Sequence, residues 1–171
     1  LSGKNYNIYK WDPSGAEVFM TQCFTDWGNE YLFLDSLKDR KKGTFLDIGC
    51  HSGYYSILFN HYFLKIIGFE PSSKCIEILD KLKSEKFHSY QFFVGDKDME
   101  VESKEYSNGY SFYGDKFTGN DFKIKNLSQI TLDNFCQKEN LNNITAIKID
   151  VDGIDLKVLY GAHNLINSNR P

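Results

Sequence analysis

The run Thr44-Phe45-Leu46-Asp47-Ile48-Gly49-Cys50-His51-Ser52-Gly53 constrains this chain more than any other stretch. Phe45, Leu46 and Ile48 make a short apolar run that stops at two glycines, and Tyr54, Tyr55, Ile57 and Leu58 then open a helix that Ser52 is placed to cap. A buried strand, a tight turn and a helix start form a nucleotide-type site. Glycines there permit close backbone approach, and the first N–H groups of the helix point at whatever sits over the turn. The plain alternative is a glycine turn that only connects strand to helix. Asp47 argues against it, because a carboxylate at the carboxyl end of a buried strand needs donors, and parallel sheets bind ligands beyond those strand ends.

The spacing discriminates between cofactors. A dinucleotide fingerprint reads G-x-G-x-x-G, whereas Gly49 and Gly53 are separated by Cys50-His51-Ser52, with His51 where a middle glycine would stand. A second buried run, Lys65 to Phe69, ends at Glu70, about 20 residues beyond the turn, where nucleotide folds place the acid that holds ribose hydroxyls. The alternative for Glu70 is a surface glutamate capping the helix that starts at Pro71-Ser72-Ser73, with Ile76, Leu79 and Leu82 inward.

Along the rest of the chain the same alternation of strand and helix recurs, which is the pattern of an α/β fold. Tyr6, Ile8 and Trp11 before Asp12-Pro13 suggest a small N-terminal hairpin, and Tyr31, Leu32, Leu34 and Leu37 a helix from Asn29. Tyr90, Phe92 and Val94 alternate as a third strand ending at Gly95-Asp96, where an adenine edge can be read or where ordinary turn chemistry suffices. Residues 99–125 read as an irregular inserted hairpin or lid, a surface hairpin being the simpler form. Ile130 to Phe135 starts a short helix, Ile144 to Ile149 is a fourth apolar strand ending at Asp150-Val151-Asp152-Gly153, and Leu156, Leu159, Ala162 and Leu165 mark a final helix. The expected organisation is an N-terminal hairpin and helix over 1–43 and a Rossmann-like unit over 44–171.

A chain of 171 residues with 41% hydrophobic content suits one such unit. A net charge of −3 and only two arginines, Arg40 and Arg170, leave no basic field for nucleic acid. Cys23, Cys50, Cys75 and Cys136 form no C-x-x-C pair, and no run is a secretory leader or a membrane span, so reduced thiols and a cytoplasmic location are expected. Cys50 is expected to fill space in the turn rather than act as a nucleophile.

Taken together, Phe-Leu-Asp-Ile-Gly-Cys-His-Ser-Gly, Gly-Phe-Glu-Pro-Ser, Ile-Thr-Leu-Asp-Asn-Phe and Ile-Lys-Ile-Asp-Val-Asp-Gly-Ile-Asp-Leu-Lys-Val-Leu-Tyr-Gly-Ala resemble the FkbM family of methyltransferases, in family order from Phe45 to Ala162. The resemblance implies a Rossmann-like, mostly parallel sheet with flanking helices, S-adenosylmethionine as cofactor, and methyl transfer to a hydroxyl of a sugar or natural product. Carried over by position, Asp47, Gly49, His51, Gly53 and Glu70 would hold the cofactor; Gly95 and Asp96, read from the end of the third strand, are further candidates. His51 stands where the family commonly has Asn, and Asp152 where Glu is usual. Such folds normally continue through a fifth strand, yet the sequence ends at Arg170-Pro171 and begins at Leu1 without an initiator methionine. A processed or truncated chain is one reading; a shortened domain with its fourth strand as an exposed edge, open to homodimer pairing, is the other.

Methyl transfer from a sulfonium is an in-line displacement, for which a protein supplies alignment and a dry pocket. A hydroxyl acceptor also needs a base. Asp150 or Asp152 is placed to be that base, or to bind a divalent ion, with Asp150 preferred and His51 a further candidate. Methylation of nucleobase amino groups is disfavoured, since no Asn/Asp-Pro-Pro-aromatic tetrapeptide follows the fourth strand. Two other classes remain: a degenerate, non-catalytic cofactor-binding or protein-interaction domain, and a nicotinamide-dependent oxidoreductase, against which the absent middle glycine counts.

Overall fold

In the computed structural model, which describes residues 28–40, 42–106 and 121–171 together with the backbone of 111–113, strand β1 (Thr44–Ile48) is buried along its whole length. A strand apolar on both faces is stable only between two covering layers. It lies between β2 (Lys65–Phe69) and β8 (Ile144–Ile149), parallel to both, and β3 (Phe87–Tyr90) adds in parallel beyond β2. The sheet order is β3-β2-β1-β8. The expected α/β, Rossmann-like arrangement is therefore the one observed.

Side-chain alternation distributes this sheet between two cores. Leu46, Ile48, Ile67 and Phe69 face helices α4 (Leu132–Lys138), α5 (Asp155–Tyr160) and α6 (His163–Asn169), meeting Leu132, Phe135, Val158 and Leu165. Phe45, Ile66 and Ala146 face the other way, toward Phe59, Phe63 and Leu79, with Phe33, Leu34 and Tyr55 packed against them. Those residues come from or adjoin helices α1 (Asn29–Leu37), α2 (Tyr54–Leu58) and α3 (Ser73–Leu79). Asp47 shares the face of Phe45, and in register beside it stand Gly68 and Lys148.

A second four-stranded sheet follows, ordered β4-β7-β5-β6. Its body is a long antiparallel pair, β5 (Met99–Tyr106) with β7 (Phe122–Ile130), flanked by β4 (Phe93–Val94) and β6 (Ser111–Tyr113). The inserted hairpin is thus built of regular strands. Its inward residues at the tip end of β5 are Ser103 and Glu105, so no apolar alternation announced it.

Four local expectations are corrected. The alternation of Tyr90, Phe92 and Val94 spans two strands in different sheets, because Gln91 turns aside to donate to Pro71 O and Ser73 Oγ; the three side chains still share one core. The final helix is two, since Asp133 accepts from Asn164 N and Leu165 N and restarts the helix after Ala162. Leu156 and Leu159 lie outward, while Val158 joins Ala162 and Leu165 in the core. The N-cap of α2 is Gly53, with φ 87° and no side-chain cap hydrogen bond, rather than Ser52. The N-terminal hairpin and Cys23 lie outside the described residues. Among the described residues, no helix is long and apolar enough to cross a membrane.

Candidate active site at the strand ends

The turn after β1 folds over the end of β2. Gly49 N and Cys50 N both donate to Phe69 O, at 3.0 and 3.1 Å, and Gly53 N closes on Cys50 O at 2.7 Å. Gly49, His51 and Gly53 all adopt positive φ, at 71°, 47° and 87°. A Cβ on Gly49 would lie 2.0 Å from Asp150 O, and one on Gly53 2.9 Å from Leu79 Cδ2. These glycines therefore let chain segments approach one another; that packing, not ligand contact, already requires them.

Glu70 occupies the gap between this turn and α3. Its carboxylate accepts from His51 N and Ser72 N, each at 2.9 Å, while its own N–H continues to Tyr90 O. Only 6% of it is exposed. Burial pushes its pKa up to about 7, the two N–H bonds and Lys148 offsetting part of the rise. Across the hairpin, Glu105 accepts from Ser73 N and Ser72 Oγ and pairs with Lys125. The segment after Glu70 is thus held from both sides.

Asp47 is fully buried. Ser56 Oγ, one helical element later, donates to its Oδ2 at 2.6 Å, and Lys148 Nζ lies 3.5 Å from its Oδ1. Lys148 Nζ also donates to Gly49 O at 2.8 Å, approaches Asp150 Oδ2 at 3.5 Å and sits over the Tyr55 ring. Burial pulls the Lys148 pKa down, but Asp47 and Asp150 outweigh it and hold the ammonium above its usual value. Cys50 lies under Gly68, and burial, reinforced by Asp47 and Glu70, pushes its thiol well up, which makes it a filler rather than a nucleophile.

The structure brings Asp47, Gly49 and Asp150 together through Lys148, and His51 with Glu70. Asp150 extends the β8 ladder through its N–H to Ile48 O, with its side chain 70% exposed. Asp152, exposed and with φ 52°, lies in the loop that Asp155 braces through Val151 N and Gly153 N. Gly95 and Asp96 follow β4 in the second sheet; Gly95 packs under the Gln129 side chain and against Gly161. Among the described residues, no group of three or more His, Cys, Asp or Glu is arranged to hold a metal ion.

A family description, the methyltransferase FkbM domain, matches residues 22–171. The chain belongs to that family. A Dictyostelium discoideum protein assigned as a methyltransferase is 43% identical over 51 residues, 30% of this chain and 19% of its own length. The fold is similar to the crystal structure of the methyltransferase FkbM from Methylobacillus flagellatus, with a TM-score of 0.54 and 15% identity over 76% of this chain and 31% of that one. The chain therefore spans less than a third of the length of either relative. This FkbM domain carries two residues against the strand-end acids that motif spacing did not single out, Ser56 and Lys148. Lys148 had a signal, since it lies two residues before Asp150 and so on the same strand face. Ser56 had none beyond sitting one turn into a helix after an acidic strand.

Proposed function

We propose that this domain binds S-adenosylmethionine over the Gly49–Gly53 turn and directs its methyl group to a hydroxyl of a small molecule, a sugar or natural product. The observation that carries the reading is Glu70: a buried carboxylate at a strand end, oriented by one N–H from the turn and one from the α3 cap. An ionised carboxylate offers about four acceptor sites, so two remain for the paired hydroxyls of a ribose. The residues present fit the cofactor on that chemistry.

The bound cofactor supplies an electrophilic methyl group on a sulfonium. The chain's part is to orient and to manage a proton. Glu70 and the turn fix the nucleoside end, while Asp150, held by Lys148 yet open to solvent, is the base we assign to the acceptor hydroxyl, with Asp152 beside it. The acidic ends of β1, β2 and β8 favour a neutral or cationic acceptor over a phosphorylated one.

The test is calorimetric titration with S-adenosylhomocysteine, with NAD as control and Glu70→Ala as the variant. Micromolar binding that the variant loses, with no heat from NAD, is the expected result. A folded wild-type chain that binds neither compound refutes the reading.

A further inference from the structure

Lys148 joins three groups at the carboxyl end of the parallel sheet. Its Nζ contacts the buried Asp47 carboxylate, the carbonyl of the cofactor turn at Gly49, and Asp150 at the solvent-facing end of β8. The lysine side chain is 16% exposed and Asp47 is 1% exposed, so solvent ions screen this part of the cluster weakly. Two carboxylates and one ammonium leave a formal charge of −1. Among the described residues, that charge opens outward through Asp150, at the carboxyl ends of the strands, where the methyltransferase reading puts the cofactor.

Resting on that reading, we propose that Asp47, Lys148 and Asp150 form a charge-selective element that favours the sulfonium cofactor over its thioether product, with Lys148 setting how strong the preference is. The two forms differ by one methyl group and one positive charge, so a negative cluster discriminates between them by field alone. Without Lys148 the cluster would be doubly negative and would hold the cation harder. Without the Asp150 charge it would be neutral and indifferent. Lys148 is therefore a specificity-determining residue rather than a catalytic one.

The experiment compares dissociation constants of the full chain for S-adenosylmethionine and S-adenosylhomocysteine at pH 8 and low salt, where Glu70, with its pKa near 7, is mostly ionised. Asp150→Asn, Lys148→Gln and Lys148→Arg are measured beside the wild type. The readout is the ratio of the two constants, which general damage to the site leaves alone. Asp150→Asn is expected to weaken the preference for the sulfonium by roughly threefold or more, and Lys148→Gln to strengthen it by a similar factor. Lys148→Arg keeps the charge and should hold the ratio within about twofold even where both affinities drop. Ratios that stay put in both charge-changing variants, or move the same way, overturn the proposal. If Lys148→Gln does not fold, Asp150→Asn decides alone, since its side chain is exposed. Wild-type chain that binds neither ligand sinks the methyltransferase reading and this one together; tight binding of both with an unmoved ratio sinks this one only.

Discussion

Replacing Glu70 by glutamine should change how the stability of this domain depends on pH. The carboxylate is buried, and burial pushes its pKa from 4.5 up to about 7 despite donated bonds from Ser72 N and His51 N. Because the folded-state value lies above the unfolded one, the folded chain binds the proton more tightly between the two. The stability this contributes is fully present below pH 4.5 and is lost as pH rises through about 7. At ~1.36 kcal/mol per pH unit across that interval, the ceiling on the loss is about 3 kcal/mol. Glutamine cannot ionise, but its amide group meets one of the two N–H donors and carries a penalty that is the same at every pH. The informative quantity is therefore a double difference: urea unfolding of wild type and Glu70→Gln, each at pH 5 and pH 8. Wild type should lose between about 1 and 3 kcal/mol more than the variant over that interval. A double difference near zero, or of opposite sign, would refute the reasoning and mean that the two N–H bonds hold Glu70 as a settled anion.

Three further outcomes follow from the same geometry. Ser56→Ala removes the hydroxyl donor from the buried Asp47 carboxylate and should cost about 1.5–3 kcal/mol in chemical denaturation at pH 7. Gly49→Ala places a methyl group 2.0 Å from Asp150 O at a residue with φ 71°, so it should displace the turn; the measurement is S-adenosylhomocysteine affinity, expected to fall at least tenfold while a folded core remains by far-ultraviolet circular dichroism. Leu156→Ala, at a side chain 68% exposed, should shift stability by less than about 0.5 kcal/mol, against about 2–5 kcal/mol for Leu165→Ala in the core.

The parallel sheet was legible because its strands are short apolar runs closed by glycine or acid, and a strand buried on both faces needs no alternation to be seen. β1 and β8 begin and end where those runs do. The second sheet was hidden for the opposite reason. β5 buries Ser103 and Glu105, polar residues whose partners, Lys125 O and the α3 N-terminus, lie 22 and 32 residues away in sequence. The last helices were read as one because Leu156, Leu159, Ala162 and Leu165 keep a 3.6-residue period across the point where Asp133 restarts the chain from another element; Ala162 and Leu165 are buried as read, Leu156 and Leu159 are not. Glu70 was singled out by spacing alone. Lys148 was not, because its meaning depends on register: only pairing of β8 with β1 sets it beside Asp47.

That register also separates two acids that motif spacing grouped together. Asp47 and Glu70 end adjacent parallel strands and both are buried, yet their partners differ in kind. Asp47 is met by a hydroxyl and an ammonium, whose charge offsets its own, and it is fully buried. Among the described residues, the hydrogen bonds to the Glu70 carboxylate come from backbone N–H groups, which orient a carboxylate without cancelling its charge. A group so placed gains most when further O–H donors arrive, whereas Asp47 can influence a ligand only through Lys148 and the turn it braces. On the proposed reading, then, Asp47 shapes the site and Glu70 is the acid left to be used.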